Sequence, residues 1–350
     1  MIRWVLVESP LAGRLAVAAA IGAIAGWLVA LWADRFSRSI QSAPNASPLP
    51  GGSSAAASPT GGGGVVPPNS TRNLVATEPA ALAADSSTPV SVAARIRCAA
   101  VLGLFFPVYL WLVTVAGCQD IPEQGQIDWL GWRLLVHFLL FSLLLAATVV
   151  DLRHYLIPDD IIVVGLATGL AAGLLCSHVH LVPAWVDWNQ EHPLLGPYIP
   201  EWMKQSPHWH GLLVSMSGAI VGGGAIWAFR TLASLLLGRE AMGFGDVTLM
   251  TMVGSLIGWQ PALVVLLIGP LAGLTIGLLW QWTSGRTALP YGPFLALATV
   301  FVLCAWKAIW LQSRLIFGHL PTLAAIIGGA AGALVLLLLL RRIVLALPMR

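Results

Sequence analysis

Long apolar runs separated by short polar segments extend along most of the chain. A helix needs about 20 mostly apolar residues to cross the hydrocarbon core of a membrane. Eight runs approach or reach that length, and one further run, the sixth in order, is shorter. The pattern therefore predicts an all-α, polytopic bundle of about nine transmembrane helices. The predicted spans are residues 15–33, 98–116, 134–150, 161–176, 212–229, 247–258, 261–280, 294–310 and 323–340.

The short sixth span carries three hydroxyl side chains, Thr248, Thr251 and Ser255. The sequence leaves open whether it crosses the membrane fully or enters as a re-entrant, protein-buried half-helix. A half-helix would have to find its hydrogen bonds inside the protein, because bare backbone cannot face lipid. Glycines four residues apart, Gly218 and Gly222, predict close helix packing in the preceding span.

The composition places most of the chain in lipid. The chain is 57% hydrophobic and only 9% charged, whereas soluble domains carry about 25% charged residues. The net charge of +3 is small and gives no indication of a nucleic-acid partner. Four cysteines stand far apart without a Cys-x-x-Cys pair, which supports neither a zinc ribbon nor a disulfide framework.

A segment rich in Ser, Gly, Ala and Pro separates the first span from the others. Its composition predicts a disordered linker. We expect an N-terminal membrane anchor at 1–38, the linker at 39–94, a membrane-embedded domain at 95–317 and an additional C-terminal transmembrane helix at 318–350. The first run could instead be a signal peptide, but its length and its charged flank favour a retained anchor.

The basic residues favour one orientation. If the segment after the first span is cytoplasmic, that side collects twelve of the 18 Lys and Arg residues. The positive-inside rule then predicts an outside N-terminus and a cytoplasmic C-terminus. Residues 177–210 hold five histidines and four tryptophans. Apart from His-x-His, which occurs at 178–180 and 208–210, no tight metal-ligand spacing recurs. We therefore interpret the interval as an interfacial loop and predict no metal.

Two aspartates adjoin membrane spans within distinctive local sequence. Asp151 directly follows the third span, and Asp246 lies in Gly243-Phe244-Gly245-Asp246 at the start of the sixth. A carboxylate at such a place is costly, so it either serves a function or reaches water as a helix-end charge. On the predicted topology, both aspartates and the segment 290–293 lie at cytoplasmic span ends, where a bundle can bring them together.

Two close carboxyl groups are suited to acid–base chemistry. Like charges at short range share a proton. The ionised member can then take a proton from water while the protonated member hydrogen-bonds a carbonyl. Gly243 and Gly245 are expected to allow close backbone approach and positive φ angles. The sequence contains no serine-hydrolase elbow, phosphate-binding loop or zinc-protease helix.

Three motifs, in this order, resemble those of bacterial prepilin peptidases, also called type IV leader peptidases. The first is Asp151 followed by a basic stretch and Ile157-Pro158-Asp159, and the second is the Gly-x-Gly-Asp segment that ends at Asp246. The third opens a late span, and it reads Pro290-Tyr291-Gly292-Pro293-Phe294. The likeness covers residues 134–310, about half of the chain.

The resemblance implies an aspartic endopeptidase of the bacterial inner membrane. Its family cuts the short basic leader from prepilins and pseudopilins of type IV pili and type II secretion, at the cytoplasmic membrane face. By position, Asp151 and Asp246 are the catalytic pair. Ile157, Pro158, Gly243, Gly245, Pro290, Gly292 and Pro293 form the supporting motifs, and no cofactor is implied. Asp159 is expected to be a helix cap or turn residue.

Two departures from the family pattern matter. Thr248 stands where the family usually has Lys, and the interval after the first span lacks the paired Cys-x-x-Cys motifs associated with N-methylation. We therefore expect a peptidase without methyl transfer. Two alternatives stay open: another Gly-x-Gly-Asp peptidase, of presenilin or preflagellin-peptidase type, and a non-catalytic membrane scaffold or transporter that uses the aspartates for ion pairing or proton relay.

Overall fold

The computed structural model describes residues 4–42, 91–121, 130–176, 179–192, 196–198, 200–238, 240, 242–284 and 290–346. A π-helical turn, Trp4–Glu8, precedes the bundle. The α-helices are α1 Leu11–Ser42, α2 Val92–Thr114, α3 Leu130–His154, α4 Asp159–Leu175, α5 Glu201–Gln205, α6 Pro207–Leu237, α7 Phe244–Ile257, α8 Trp259–Ser284, α9 Gly292–Gly318 and α10 Leu320–Ala346. Two short strands, β1 Asp187–His192 and β2 Gly196–Tyr198, pair antiparallel.

The predicted helical membrane bundle is confirmed. Within the described residues, nine long helices coincide with the nine predicted spans. Seven of these are long and apolar enough to cross a membrane, and α4 and α7 are shorter, with 17 and 14 residues. The chain is therefore a multi-pass membrane protein. The β-hairpin departs from the prediction of a plain loop at 177–210, and residues 43–90 of the predicted linker lie outside the described residues.

The sixth long helix, α7, is too short to cross a membrane alone. Its 14 residues extend over about 21 Å at 1.5 Å per residue, against a hydrocarbon core of about 30 Å. Ten of the 14 residues are buried, so α7 is surrounded by protein. Gly258, with a φ of 92°, joins α7 to α8 without any further linking residue.

Residues 179–186, before β1, pack against the C-terminal end of α7 and contact one carbonyl group of its last turn. His180 Nε2 lies 3.3 Å from the carbonyl oxygen of Ser255. Since that oxygen can only accept, Nε2 carries the proton. Arg133 of α3 donates to the His180 carbonyl at 2.6 Å, and Trp259 Nε1 donates to the Ala184 carbonyl at 2.9 Å. These bonds supply the internal partners that buried backbone requires.

A glycine seam joins α6 to α7. It consists of Gly218, Gly222 and Gly223 on α6 and Gly254 on α7. A Cβ atom at Gly218 would strike the carbonyl oxygen of Gly254, and a Cβ atom at Gly254 would strike that of Gly218. The predicted close packing at Gly218 and Gly222 is confirmed, because only glycine permits this approach of two backbones.

The first helix is packed into the bundle. Gly26 of α1 approaches the backbone of α2 so closely that a Cβ atom would strike the Cys98 carbonyl. Near its C-terminal end, α1 contributes buried Asp34, which pairs with Arg95 of α2 at 3.2 Å. His154 Nε2, in the last turn of α3, lies 2.8 Å from the hydroxyl of Ser37. Helix α1 therefore supports the same end of α3 that carries Asp151.

The glycine seam predicts a sharp contrast between two alanine variants. Gly254→Ala forces the backbones of α6 and α7 apart, and we expect it to lower the free energy of unfolding by about 1–3 kcal/mol, the usual cost of overpacking. Gly224→Ala is the matched control on α6, because nothing lies within 4 Å of its Cβ position. Thermal unfolding in detergent should separate the two, and equal midpoints would contradict a tight seam.

Candidate active site

Asp151 occupies the last turn of α3. Its side chain is part of the bundle interior, with 6% of the residue exposed. The carboxylate accepts a hydrogen bond from the backbone N–H of Gly292, at the start of α9. Tyr155 adopts a φ of 54°, which the helical conformation excludes, and α3 ends immediately before it. Asp151 is therefore held at a helix end by a contact to a distant helix start.

Asp246 lies in the first turn of α7 and is 8% exposed. The N-terminal end of a helix carries a partial positive charge, because its first N–H groups are unpaired and the peptide dipoles align. A carboxylate is therefore favoured there. The carboxyl group of Asp246 is also close enough to Asp151 for the two charges to repel each other. Helices distant in sequence thus bring two carboxyl groups together.

A cavity of about 640 Å³ opens beside the two aspartates. Of the residues predicted from sequence, Asp151, Ile157, Gly243, Gly245, Asp246 and Pro290 line it. Gly292 adjoins it through the hydrogen bond to Asp151. Pro158, the N-cap of α4, and Pro293, in the first turn of α9, are not among the lining residues and shape the helix starts beside the cavity.

Ile157 joins the three sequence motifs. A Cβ atom at Gly245 would lie 3.1 Å from the Ile157 Cβ. A Cβ atom at Gly292 would lie 3.3 Å from the Ile157 Cδ1 and 2.5 Å from the Asp151 Oδ2. The isoleucine of the first motif therefore packs on glycines of the second and the third, and those glycines provide the room.

The expectation of positive φ angles at Gly243 and Gly245 was wrong. Gly243 has a φ of −65°, and Gly245 belongs to the regular first turn of α7. A Cβ atom at Gly243 would have only the Gly245 nitrogen nearby, at 4.0 Å. The close approach of Ile157 thus explains the glycine at position 245. Neither the backbone conformation nor the packing explains the glycine at position 243.

Several lining residues were not predicted as site residues. They are Tyr155, Leu156, Asp159, Met242, Phe244, Thr248 and Tyr291. Each lies within four residues of a predicted site residue. Their nearness to the motifs is therefore the sequence feature that could have identified them. Burial and the charge of Asp246 raise the pKa of Tyr291 above its ordinary value. Its hydroxyl group therefore keeps its proton at neutral pH.

No cluster of three or more His, Cys, Asp or Glu side chains suited to a metal ion occurs among the residues that the structure describes. His178 and the side chains of residues 187–199, which include Asp187, Glu191 and His192, lie outside them. Within the interval 177–210, His180 and His210 are buried, and each contacts backbone of neighbouring segments.

A model of the type IV leader peptidase family matches residues 199–278, which include Asp246. A prepilin leader peptidase/N-methyltransferase of Xanthomonas campestris pv. campestris is 27% identical over 193 residues, 54% of each chain. The protein of the same name from Aeromonas hydrophila is 31% identical over 171 residues, 48% of each chain. A type 4 prepilin-like proteins leader peptide-processing enzyme of Escherichia coli O78:H11 is 32% identical over 219 residues, 56% of this chain and 69% of the relative.

These similarities cover part of each protein. The chain spans about half the length of the first two relatives and somewhat more of the third. No solved structure matches the chain.

The contacts of Ile157 and Asp151 predict which glycine of the cavity tolerates a methyl group. Gly292→Ala must displace the Asp151 carboxylate, so we expect the free energy of unfolding to fall by about 1–3 kcal/mol. Gly243→Ala should leave stability unchanged or slightly higher, because its φ suits alanine. Thermal unfolding of both variants tests this, and a destabilised Gly243→Ala protein would refute the packing described above.

Proposed function

The chain belongs to the type IV leader peptidase family, and on this premise we propose that it is a membrane aspartic endopeptidase with Asp151 and Asp246 as its catalytic pair. The observation that carries the proposal is the meeting of these two carboxyl groups in one cavity. They come from helix ends 95 positions apart in the sequence. The proposed substrates are prepilin or pseudopilin-like membrane proteins, whose leader peptide is removed.

The proposed chemistry uses one shared proton. Two carboxyl groups at short range do not both ionise, so one stays protonated. The ionised carboxylate takes a proton from a water molecule, which attacks the scissile carbonyl carbon, while the protonated carboxyl group hydrogen-bonds the carbonyl oxygen. In the tetrahedral species, the carboxyl group that took the proton from water gives it to the amide nitrogen, the C–N bond breaks, and the amine leaves. No covalent intermediate with the protein forms.

The Gly292 N–H has a defined part in this mechanism. It donates to Asp151 and so orients one carboxyl group relative to the other. Tyr291 adds a neutral hydroxyl group to the cavity wall. A fixed orientation matters because proton transfer and attack both require hydrogen-bond distances of about 3 Å.

We propose peptidase activity without methyl transfer. The relatives from Xanthomonas campestris and Aeromonas hydrophila are named N-methyltransferases as well as peptidases. In this chain, however, no cysteine precedes Cys98, and the interval 39–94 holds none of the paired Cys-x-x-Cys motifs that the resemblance associates with methylation. The product N-terminus should therefore remain unmethylated.

We further propose that the cavity faces the cytoplasm and that the N-terminus of the chain lies outside. The distribution of basic residues supports this orientation, with twelve of the 18 Lys and Arg residues on the cavity side. The alternative function, a scaffold or transporter that uses the aspartates for ion pairing or proton relay, predicts no proteolysis in any variant.

Substituting either aspartate tests the peptidase directly. Asp151→Asn and Asp246→Asn keep the side-chain shape but remove acid–base function, so each should reduce the cleavage rate by about 100-fold or more. The measurement is cleavage of co-expressed pilin-like proteins of the same genome, with the product N-terminus read by mass spectrometry.

Asp159→Asn is the matched control, because Asp159 lines the same cavity and is exposed. We expect it to retain most of the activity. Normal cleavage by either Asp151→Asn or Asp246→Asn protein would exclude the proposed catalytic pair.

A further inference from the structure

Residues 240 and 242–244, the segment that leads into α7, are contacted by one arginine from a neighbouring helix. Arg230 lies two turns before the end of α6. Its Nε donates to the carbonyl oxygen of Met242 at 2.8 Å, and its guanidinium group pairs with the Glu240 carboxylate. The guanidinium carbon also lies 5.8 Å from the ring centroid of Phe244. Three contacts from one side chain thus converge on a short stretch of chain.

We propose that Arg230 is a positioning residue, which fixes residues 242–244 as one wall of the cavity and thereby sets the placement of Asp246. Met242, Gly243 and Phe244 all line the cavity. Asp246 follows Phe244 by two residues. A shift of this segment therefore moves both the cavity wall and the carboxyl group.

The segment needs an external support. Its described residues before Phe244 belong to no helix or strand. Gly243 has no side chain, and its Cβ position is open. The glycine seam holds the body of α7 against α6, but its closest contacts lie at Met250, Thr251 and Gly254, more than one helical turn beyond Asp246. On the N-terminal side of Asp246, Ile157 packs on Gly245, and Arg230 of α6 adds contacts to Glu240, Met242 and Phe244.

The three contacts of Arg230 contribute unequally to holding the segment in place. The Glu240 side chain is 69% exposed, so its ion pair is screened by solvent and contributes little. The bond to the Met242 carbonyl is directional, and its donor, Nε, is attached to Cδ. The side-chain nitrogen of glutamine is attached to Cδ as well. Arg230→Gln therefore keeps a donor at the same position and removes the charge, whereas Arg230→Met removes both.

The activity test rests on the proposed peptidase function. We expect Arg230→Met to lower kcat about tenfold with KM changed less than twofold, because small misplacements of reacting groups mainly affect rate. Arg230→Gln should stay within about threefold of the wild-type kcat. Glu240→Gln, the control for the ion pair, should match the wild type. Equal kcat values for Arg230→Gln and Arg230→Met, or a loss in Glu240→Gln equal to that in Arg230→Met, would overturn the assignment.

A second measurement does not require the peptidase. The rate at which an added protease cleaves this segment in detergent reports how firmly the segment is held. We expect this rate to rise severalfold in Arg230→Met and to stay near the wild-type value in Arg230→Gln, at equal thermal midpoints. If wild-type protein cleaves no substrate but this contrast holds, the proposed function fails and the positioning role stands. Unchanged nicking in Arg230→Met would refute the positioning role.

Discussion

A buried helix that is too short to cross a membrane needs protein at both of its ends, because its terminal N–H and C=O groups cannot be left in lipid. Helix α7 imposes this requirement on the whole bundle. At its C-terminal end, the segment before β1 enters the bundle and His180 contacts the Ser255 carbonyl. At its N-terminal end lies the cavity. The carboxyl group of Asp246 lies at this helix start, in the first turn of α7.

The same requirement explains the glycines of α6 and α7. A helix enclosed by protein must lie close to its neighbours, and the approach of Gly218 to Gly254 leaves no room for a Cβ atom on either side. At the cavity, Ile157 makes a similarly close contact, because it packs on Gly245 and Gly292. The isoleucine contact links the chain after α3 to the starts of α7 and α9. Glycine is needed in both places for space, and in neither for a positive φ.

Much of this arrangement could be predicted from the sequence, because apolar run length is a strong signal for membrane helices. Each of the nine apolar runs corresponds to a long helix, and the short sixth run corresponds to the short helix α7. The hairpin could not be predicted, since Asp187–His192 is polar apart from Trp188 and shows no apolar alternation. Arg230 was also missed, because a basic residue near a span end counts as an orientation signal, and its contacts depend on tertiary structure.

The side chains around Thr248 determine the charge of the cavity wall. The Thr248 hydroxyl donates to the Gly245 carbonyl at 2.9 Å, within its own helix. It therefore adds no positive charge to the cavity wall. None of the described lining residues is basic, whereas Asp151, Asp159 and Asp246 contribute three carboxyl groups. A cavity of this charge attracts cations, since the low-dielectric walls of the bundle strengthen the field. This charge is complementary to the basic leader peptide of the proposed substrate.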